Sequence, residues 1–524
     1  MTEAIPSRMT SSRNIAHSAL YNLVGFAANA LYIIILVPVV LNALGTELFG
    51  LWSLVTALTG YFGLADLGLT ISFVKYLAEF MAQGDERNVN KVIQHGVLFY
   101  ACFSLVILAS AHGAFAWLFG ILRLPPAEYD LVLYVLLVSL VGFGVTSSAS
   151  TLYGVLSSLQ RTDVSNILVI VSQVVRLLAI VAALSLGGGL RGMVSADLAV
   201  TVATVAALFI LTKKYYPALS LRPAGFDRPL MKKLIGFGSQ LQMSRFAEVV
   251  QGHFDKLLLA RFVGLSAVTL YDFGSRPLGR ARAFPLSALV SLIPAVSALD
   301  VEQNSARIRS ALLRGARYLL FVSVPLFGFL FFFAEPVITV WLGAGFEQAA
   351  MTMKILSVAY FCSVMAGMPS LVAQGLGEPR YQMYAMLFQS ILNIVLSSVL
   401  VHMFGYYGAV AGTTIAGIAG AVLFIQWYGR RLIDAPLRTF VRLGMRPAGA
   451  MLAATAAGLA VDAACQQLFH ASTQTGQFMV LIATGMVFVI VYGVLLVGFR
   501  CFDDDDKRLA KSIVPARFSG WMKV

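Results

Sequence analysis

The stretch YDFGSRPLGRARAF, residues 271 to 284, places Asp272, Arg276, Arg280 and Arg282 between the apolar flanks LSAVTL and PLSALVSLIPAVSAL. Asp272, Arg276 and Arg280 are four apart, a spacing that stacks them on one face of a helix. Arg282 points elsewhere unless Pro277 and Gly279 loosen the helix, since proline removes a backbone donor. Upstream, Arg245, Glu248, Gly252 and Asp255 follow one another at spacings that also share one helix face. The chemistry these residues suit is electrostatic: a cationic lumen that binds an anion, with carboxylates positioned to balance or modulate it. The two stripes are expected at similar depth, where they would build one polar chamber in the second half of the chain.

An arginine at the centre of a spanning helix costs about 2.5–3.5 kcal/mol on insertion scales, so it must face water or a partner. Arg276 and Arg280 sit roughly 12 to 16 residues into their run, near mid-depth at about 1.5 Å per residue. The alternative is that Arg276, Arg280 and Arg282 line a wide cytoplasmic vestibule or snorkel to the interface while Asp272 and Asp255 neutralise neighbours. The first half carries Asp66, Lys75, Arg176, Asn22 and Asn29 in apolar surroundings. Asp66 fits a structural hydrogen bond or a coupling role equally well, and Arg176 fits a brace between helices or a substrate contact. Lys75 and Lys354 lie near span ends and are expected to snorkel; Asp255 beside Lys256 reads as an ion pair near the outer mouth.

The elements that must position these groups are membrane helices. Of the 524 residues, 59% are hydrophobic and 12% charged, against about 25% charged in an average soluble domain, and the mean hydropathy is +0.81. Fourteen apolar runs emerge, among them 17–42, 50–80, 234–260, 265–297 and 447–469. The net charge of +13 lies mostly in short loops on one side, from Arg8 and Arg13 through Lys213, Lys214, Arg228, Lys232 and Lys233 to Arg430, Arg438, Arg442 and Arg446. The opposite loops hold Arg123, Arg191 and Arg261. This bias orients the chain with both termini cytoplasmic and removes the case for a nucleic-acid partner. Laying one half over the other with an offset of about 214 residues aligns ELFGLWSLVTALTGYFGLADLGL with RFVGLSAVTLYDFGSRPLGRARA, with Asp66 in the place of Arg280, and paired halves of this kind are a transporter architecture. The expected fold is all-α and polytopic: fourteen transmembrane helices in two six-helix lobes related by a pseudo-two-fold, plus two C-terminal helices. The boundaries are 1–214 for the first lobe, 215–233 for a basic cytoplasmic linker, 234–432 for the second lobe, 433–500 for the last two helices and 501–524 for a cytoplasmic tail.

Other chemistries find little support. Cys102, Cys362, Cys465 and Cys501 are scattered, and His95 and His253 share no ligand spacing. There is no metal motif, no phosphate-binding glycine loop, no nucleophile motif and no sign of a cofactor. The DDDDK run at Asp503 to Lys507 reads as a solvated linker. Every outer loop is short, so a membrane-bound glycosyltransferase or ligase with a catalytic domain is not expected, and the chain is read as a transporter rather than an enzyme.

Three segments carry a family likeness: LNALGTELFGLWSLVTALTGYFGLADLGL, DKLLLARFVGLSAVTLYDFGSR, and LVAQGLGEPRYQMYAMLFQSILNIVLSSVLVHMFGYYGAVAGTTIAG. In their glycine-marked turns they resemble the Wzx-type polysaccharide and O-antigen exporters of the multidrug/oligosaccharidyl-lipid/polysaccharide superfamily. The resemblance implies a flippase that moves an undecaprenyl-pyrophosphate-linked oligosaccharide across a bacterial inner membrane by alternating access. Its partners would be that lipid-linked substrate, the phospholipid bilayer and the polysaccharide polymerase machinery. Lipid II flippases are similar, and a cation-coupled multidrug antiporter of the same superfamily is the other alternative, although its lumen would be acidic. On the flippase reading Arg245, Arg276, Arg280, Arg282 and Arg176 hold the pyrophosphate, because guanidinium matches phosphate through paired hydrogen bonds. Asp66, Glu248 and Asp272 are the coupling candidates, and Tyr271, Gln242, Gln251 and Asn22 offer surface to sugars.

Overall fold

The computed structural model describes residues 12–66, 69–123, 126–221, 227–289, 305–376, 378, 380–433, 437–469, 473–499 and 501. Among the described residues every regular element is helical, as hydrocarbon requires of any segment that must satisfy its own backbone. Eleven of these helices are long and apolar enough to cross a bilayer, so the chain is a multi-pass membrane protein. It divides into two compact units: residues up to Thr269 with Val401–Ala409, and Leu270–Leu400 with Val410 onward.

The first unit contains α1 (Ser12–Phe62), a single 3-10 turn (Gly63–Asp66), α2 (Leu69–Ala82), α3 (Glu86–Leu122), α4 (Tyr129–Ser158), α5 (Thr162–Ser185), α6 (Gly189–Tyr215) and α7 (Arg228–Phe262). The runs expected at 17–42 and 50–80 are joined in α1 across a bend at Gly45, whose φ of 75° is left-handed and open to glycine at little cost. The second of those runs then breaks at the 3-10 turn, leaving Asp66 at the break. Leu69, Phe73 and Leu77 of α2 meet Val92, Ile93 and Tyr100 of α3, Val155 of α4, Leu208 of α6 and Leu230 and Leu234 of α7 in one buried cluster.

The stretch expected as a basic linker at 215–233 is strapped to α3. Asn90 Nδ2 donates to Ala218 O at 2.8 Å and Asn90 Oδ1 accepts from Ser220 N at 2.8 Å. Gln94 Nε2 donates to Ser220 O at 2.9 Å. His95 Nε2 accepts from Asp227 N at 2.7 Å, while its Nδ1 faces Lys91 O at 2.7 Å. Asp227 caps α7 by accepting from Leu230 N at 3.1 Å and pairs with Lys91 at 2.8 Å. The Lys91 hydrogen bond, and after it the Leu230 N–H, hold the Asp227 carboxyl below its ordinary range. From Arg228 the chain is already helical. Because the strap and the buried Leu230 and Leu234 bind α7 to the first unit, the compact division falls inside the next helix, α8 (Leu265–Leu289), rather than at 215–233.

The first turn of α8 packs on α1. Thr269 Oγ1 donates to Thr46 O at 2.6 Å, and a Cβ built on Gly50 would lie 2.0 Å from Leu265 O. Backbone cannot yield as a side-chain tip can, so Gly50→Ala is expected to cost about 1–3 kcal/mol or more. Thermal unfolding of the detergent-purified protein should show a lowered midpoint, whereas Gly252→Ala, with nothing within 4 Å of the added carbon, should not.

The second unit continues from Leu270 of α8 into α9 (Ser305–Phe332), α10 (Ala334–Leu342), α11 (Glu347–Met365), α12 (Gly367–Gly375), α13 (Arg380–Phe404), α14 (Tyr406–Ile433), α15 (Leu437–Phe469) and α16 (Gln474–Gly498). The last two helices, expected as a separate pair at 433–500, belong to this unit. Phe333, Ala450, Ala454, Phe488 and Tyr492 form a buried cluster, and Tyr492 OH donates to Phe321 O at 3.1 Å. α15 has 33 residues, about 50 Å at 1.5 Å per residue, well beyond the roughly 30 Å of hydrocarbon. It begins at Leu437, so residues expected as loop before the 447–469 span are helical. The runs expected at 234–260 and 265–297 form α7 and α8, and residues 290–297 lie outside the described residues. Neither helix is among those apolar enough to span on composition alone, because these are the two that carry the charged stripes.

Candidate functional site

The charged stripe of α8 is held by the packing of its other side. Phe273 is fully buried and meets the rings of Trp341 at 6.1 Å and Phe346 at 5.6 Å. Gly274 lets α8 approach α11 closely; a Cβ there would stand 2.7 Å from Ala349 O and from Thr352 Cβ. α8 remains helical through Pro277 and Pro285.

Within that frame the groups separate into two kinds. Asp272, 2% exposed, accepts from Arg276 Nε at 2.5 Å across one helical turn. That pair is close to neutral. Arg280, one turn further, is exposed and makes no ion pair among the described residues. Arg282 is half-buried, and its Nε is buried without a hydrogen-bond partner among the described residues. The same stretch of α8 therefore offers two guanidinium groups whose charge no described carboxylate offsets, beside one whose charge is already balanced. On this unbroken helix Arg280 and Arg282, two residues apart, do not share a face, so the loosening that would align them is not observed. What each offers an anionic ligand is a guanidinium with no described ion pair to break first.

The second stripe lies on α7, in the first unit. Glu248 is exposed, and the side chains of Arg245 and Gln242 lie outside the described residues. Asp255 and Lys256 are buried, at 1% and 9% exposed, and Lys256 Nζ donates to Ser53 Oγ at 3.1 Å. Asp66, 9% exposed, accepts from the Tyr100 hydroxyl and, at 3.2 Å, from Thr70 Oγ1. Both hydroxyls turn to Asp66 Oδ1, and among the described residues no cation pairs with this carboxylate at the helix break. Arg176 of α5 reaches across to α6, where it meets Asp197 at 2.5 Å and Thr201 at 3.1 Å. Lys75 lies 4.9 Å from the Tyr76 ring and Lys354 5.5 Å from the Phe331 ring. Asn29 Oδ1 is buried with no partner among the described residues, the Asn22 side chain lies outside them, Gln251 is half-buried and Tyr271 is 5% exposed.

Tyr100 and Asp197 were missed by sequence reasoning. Asp197 had a usable signal, since a carboxylate inside an apolar run needs a partner as much as an arginine does. Tyr100 had none, because a tyrosine in such a run is ordinary and its link to Asp66 crosses between helices.

Comparisons with known proteins agree with this architecture. The family model described as "Polysaccharide biosynthesis protein" matches residues 15–300, and the MatE model matches residues 241–399. A Shigella flexneri protein named "Putative O-antigen transporter" is 22% identical over 430 residues, covering 80% of this chain and 98% of its own. A Bacillus subtilis membrane protein named EpsK is 21% identical over 509 residues, covering 94% and 96%. Among solved structures, "Lipid II flippase MurJ, inward closed conformation" superposes with a TM-score of 0.68 at 15% identity, covering 92% of this chain and 99% of that one. An inward-facing multidrug resistance MATE family transporter of the MOP superfamily gives 0.63 at 18% identity, covering 79% and 94%. At these identities the two structures speak for the fold.

Proposed function

Because the chain belongs to the polysaccharide biosynthesis protein family, and with it to the multidrug/oligosaccharidyl-lipid/polysaccharide superfamily, we propose that it is a flippase for an undecaprenyl-pyrophosphate-linked oligosaccharide. The observation that carries this reading is that Arg280 and Arg282 have no counter-charge among the described residues, beside the balanced Asp272–Arg276 pair. A diphosphate entering the membrane loses its water, and guanidinium groups replace those hydrogen bonds where the low dielectric makes them strong. Arg245 and Arg176, both in the first unit, are proposed as cargo contacts of that unit; Arg176 would have to share itself with Asp197. The lipid tail would stay in the bilayer while the glycan crosses a hydrated path.

Movement would follow alternating access, with Asp66 and Glu248 as the carboxylates that take up a coupling proton and Asp272 as one that could exchange its bond to Arg276 for a proton. The setting is a bacterial inner membrane with both termini cytoplasmic, the orientation favoured by the distribution of arginine and lysine. The cargo would pass to polysaccharide polymerase machinery on the far side. The name of the Shigella relative supports the class of cargo.

The test is transport by the purified chain in vesicles. It should move a polyprenyl-diphosphate oligosaccharide between leaflets and should not move an organic cation. Cation movement without lipid movement would replace this reading with a drug antiporter. Equal movement of a lipid with a monophosphate link would remove the role given to the two arginines.

A further inference from the structure

We propose that α14 and α15 form a seat for an anionic phospholipid of the cytoplasmic leaflet, separate from the α8 stripe and independent of which cargo is carried. An open cavity of about 800 Å³ runs along α14, lined by Ala419, Val422, Leu423, Gln426, Trp427 and Arg430. Its lining is graded: small and aliphatic residues at one end, then an amide, an indole and a guanidinium over the last turns. Leu423 and Trp427 are 41% and 39% exposed, and Trp427 is fixed edge-on to Tyr381 at 5.2 Å. This is the profile of a lipid lying along a helix, with its chain against aliphatic side chains, its glycerol level with an interfacial tryptophan and its phosphate at a cation.

The polar end of the cavity adjoins a second source of charge. Gln426 Oε1 accepts from Leu437 N at 3.1 Å, so the start of α15 sits against the cavity and Arg438 is the next residue. Arg438, Arg442 and Arg446 recur every four residues along α15 and all three are exposed, as are Val441 (57%) and Met445 (65%) between them. None of these three arginines, nor Arg430, makes an ion pair among the described residues. An arginine stripe flanked by exposed aliphatic side chains suits neither bulk water nor hydrocarbon. It suits the boundary between them, where stems lie along acyl chains and guanidinium groups meet phosphate.

The neighbouring helix α9 places one more arginine at the same height. A Cβ on Gly444 would stand 3.4 Å from Leu320 Cδ2, and one on Gly328 would stand 2.7 Å from Met451 Cγ. α9 and α15 therefore run in the same direction, with Arg314 of α9 about level with Arg438. Arg314 is exposed as well. The length of α15 beyond the bilayer core is what brings this stripe to the head-group layer rather than leaving it in a loop.

The full chain, purified from membranes and examined by native mass spectrometry after incubation with phosphatidylglycerol or phosphatidylcholine, tests the seat. Wild type is expected to retain phosphatidylglycerol in preference to phosphatidylcholine. In Arg430→Gln/Arg438→Gln the retention should weaken about tenfold to thirtyfold, since each arginine beside an anionic lipid surface contributes about a factor of five. Leu423→Trp, which fills the aliphatic end and leaves every arginine in place, should lower retention too, while inorganic phosphate should not compete. Unchanged retention in both variants, with unchanged thermal midpoints, would overturn the proposal. So would retention that appears only after removal of residues 502–524, because the acidic run Asp503–Asp506 would then be the occupant.

Discussion

Replacing Arg280 and Arg282 together by alanine is expected to abolish glycan export while the protein stays inserted at its normal level. Each charge-assisted hydrogen-bonded contact to a phosphate is worth about 1.5–3 kcal/mol. Losing two therefore corresponds to about two to four orders of magnitude in binding at 1.4 kcal/mol per tenfold. The single variants should each lose roughly half of that on a logarithmic scale if the two groups hold the same diphosphate. Lysine at both positions keeps the charge and loses the planar fork, so Arg280→Lys/Arg282→Lys should fall between wild type and the alanine pair. Neither arginine is tied to a described carboxylate, so their removal leaves no counter-charge stranded. That makes surface glycan on cells, together with lipid movement in vesicles, a direct readout of substrate contact. Undiminished export from the double alanine variant would remove the anion-binding role of α8.

The second large effect concerns the adjacent pair and is one of stability. Asp272→Ala is expected to destabilise the protein severely, because Arg276 would keep a partly buried charge with its i−4 partner gone. Breaking a buried pair by removing one member costs about 3–5 kcal/mol, whereas replacing both by apolar residues of similar size is often close to neutral. Asp272→Leu/Arg276→Met should accordingly recover most of the thermal midpoint lost in Asp272→Leu or Arg276→Met alone. The recovery, read as the interaction term of a double-mutant cycle, measures how far the two side chains depend on each other. Simple addition of the two single losses would show that the pair is not coupled. Arg276→Ala alone is for the same reason a poor probe of transport, since lost export would be confounded with lost protein.

Much of this was legible in the sequence because hydrocarbon allows few answers. The apolar runs declare helices, and the four-residue spacing puts Asp272 and Arg276 on one face. Their pairing was only the alternative to a phosphate contact for Arg276 and a coupling role for Asp272, and it is the pairing that the structure contains. What was not legible depended on contacts between helices or on backbone torsions. The bend at Gly45 and the 3-10 break before Asp66 turn one long apolar run into pieces, and composition does not register either. The hydroxyl of Tyr100 on Asp66, and the reach of Arg176 to Asp197, join residues on different helices. The helical start of α15 was hidden because Arg438, Arg442 and Arg446 read as loop charge until their regular spacing is seen to lie on one exposed face.

The strap along α3 bears on how the polypeptide can be divided. A gene cut within 215–226 would yield an upstream fragment lacking Leu230 and Leu234, which complete the cluster shared by α2, α3, α4 and α6, together with Asp227, to which Lys91 and His95 are joined. Co-expressed halves severed there should assemble poorly. Severing at Gly264, where φ is 127° and α7 has ended, leaves that cluster whole and is the better site for split-protein reconstitution.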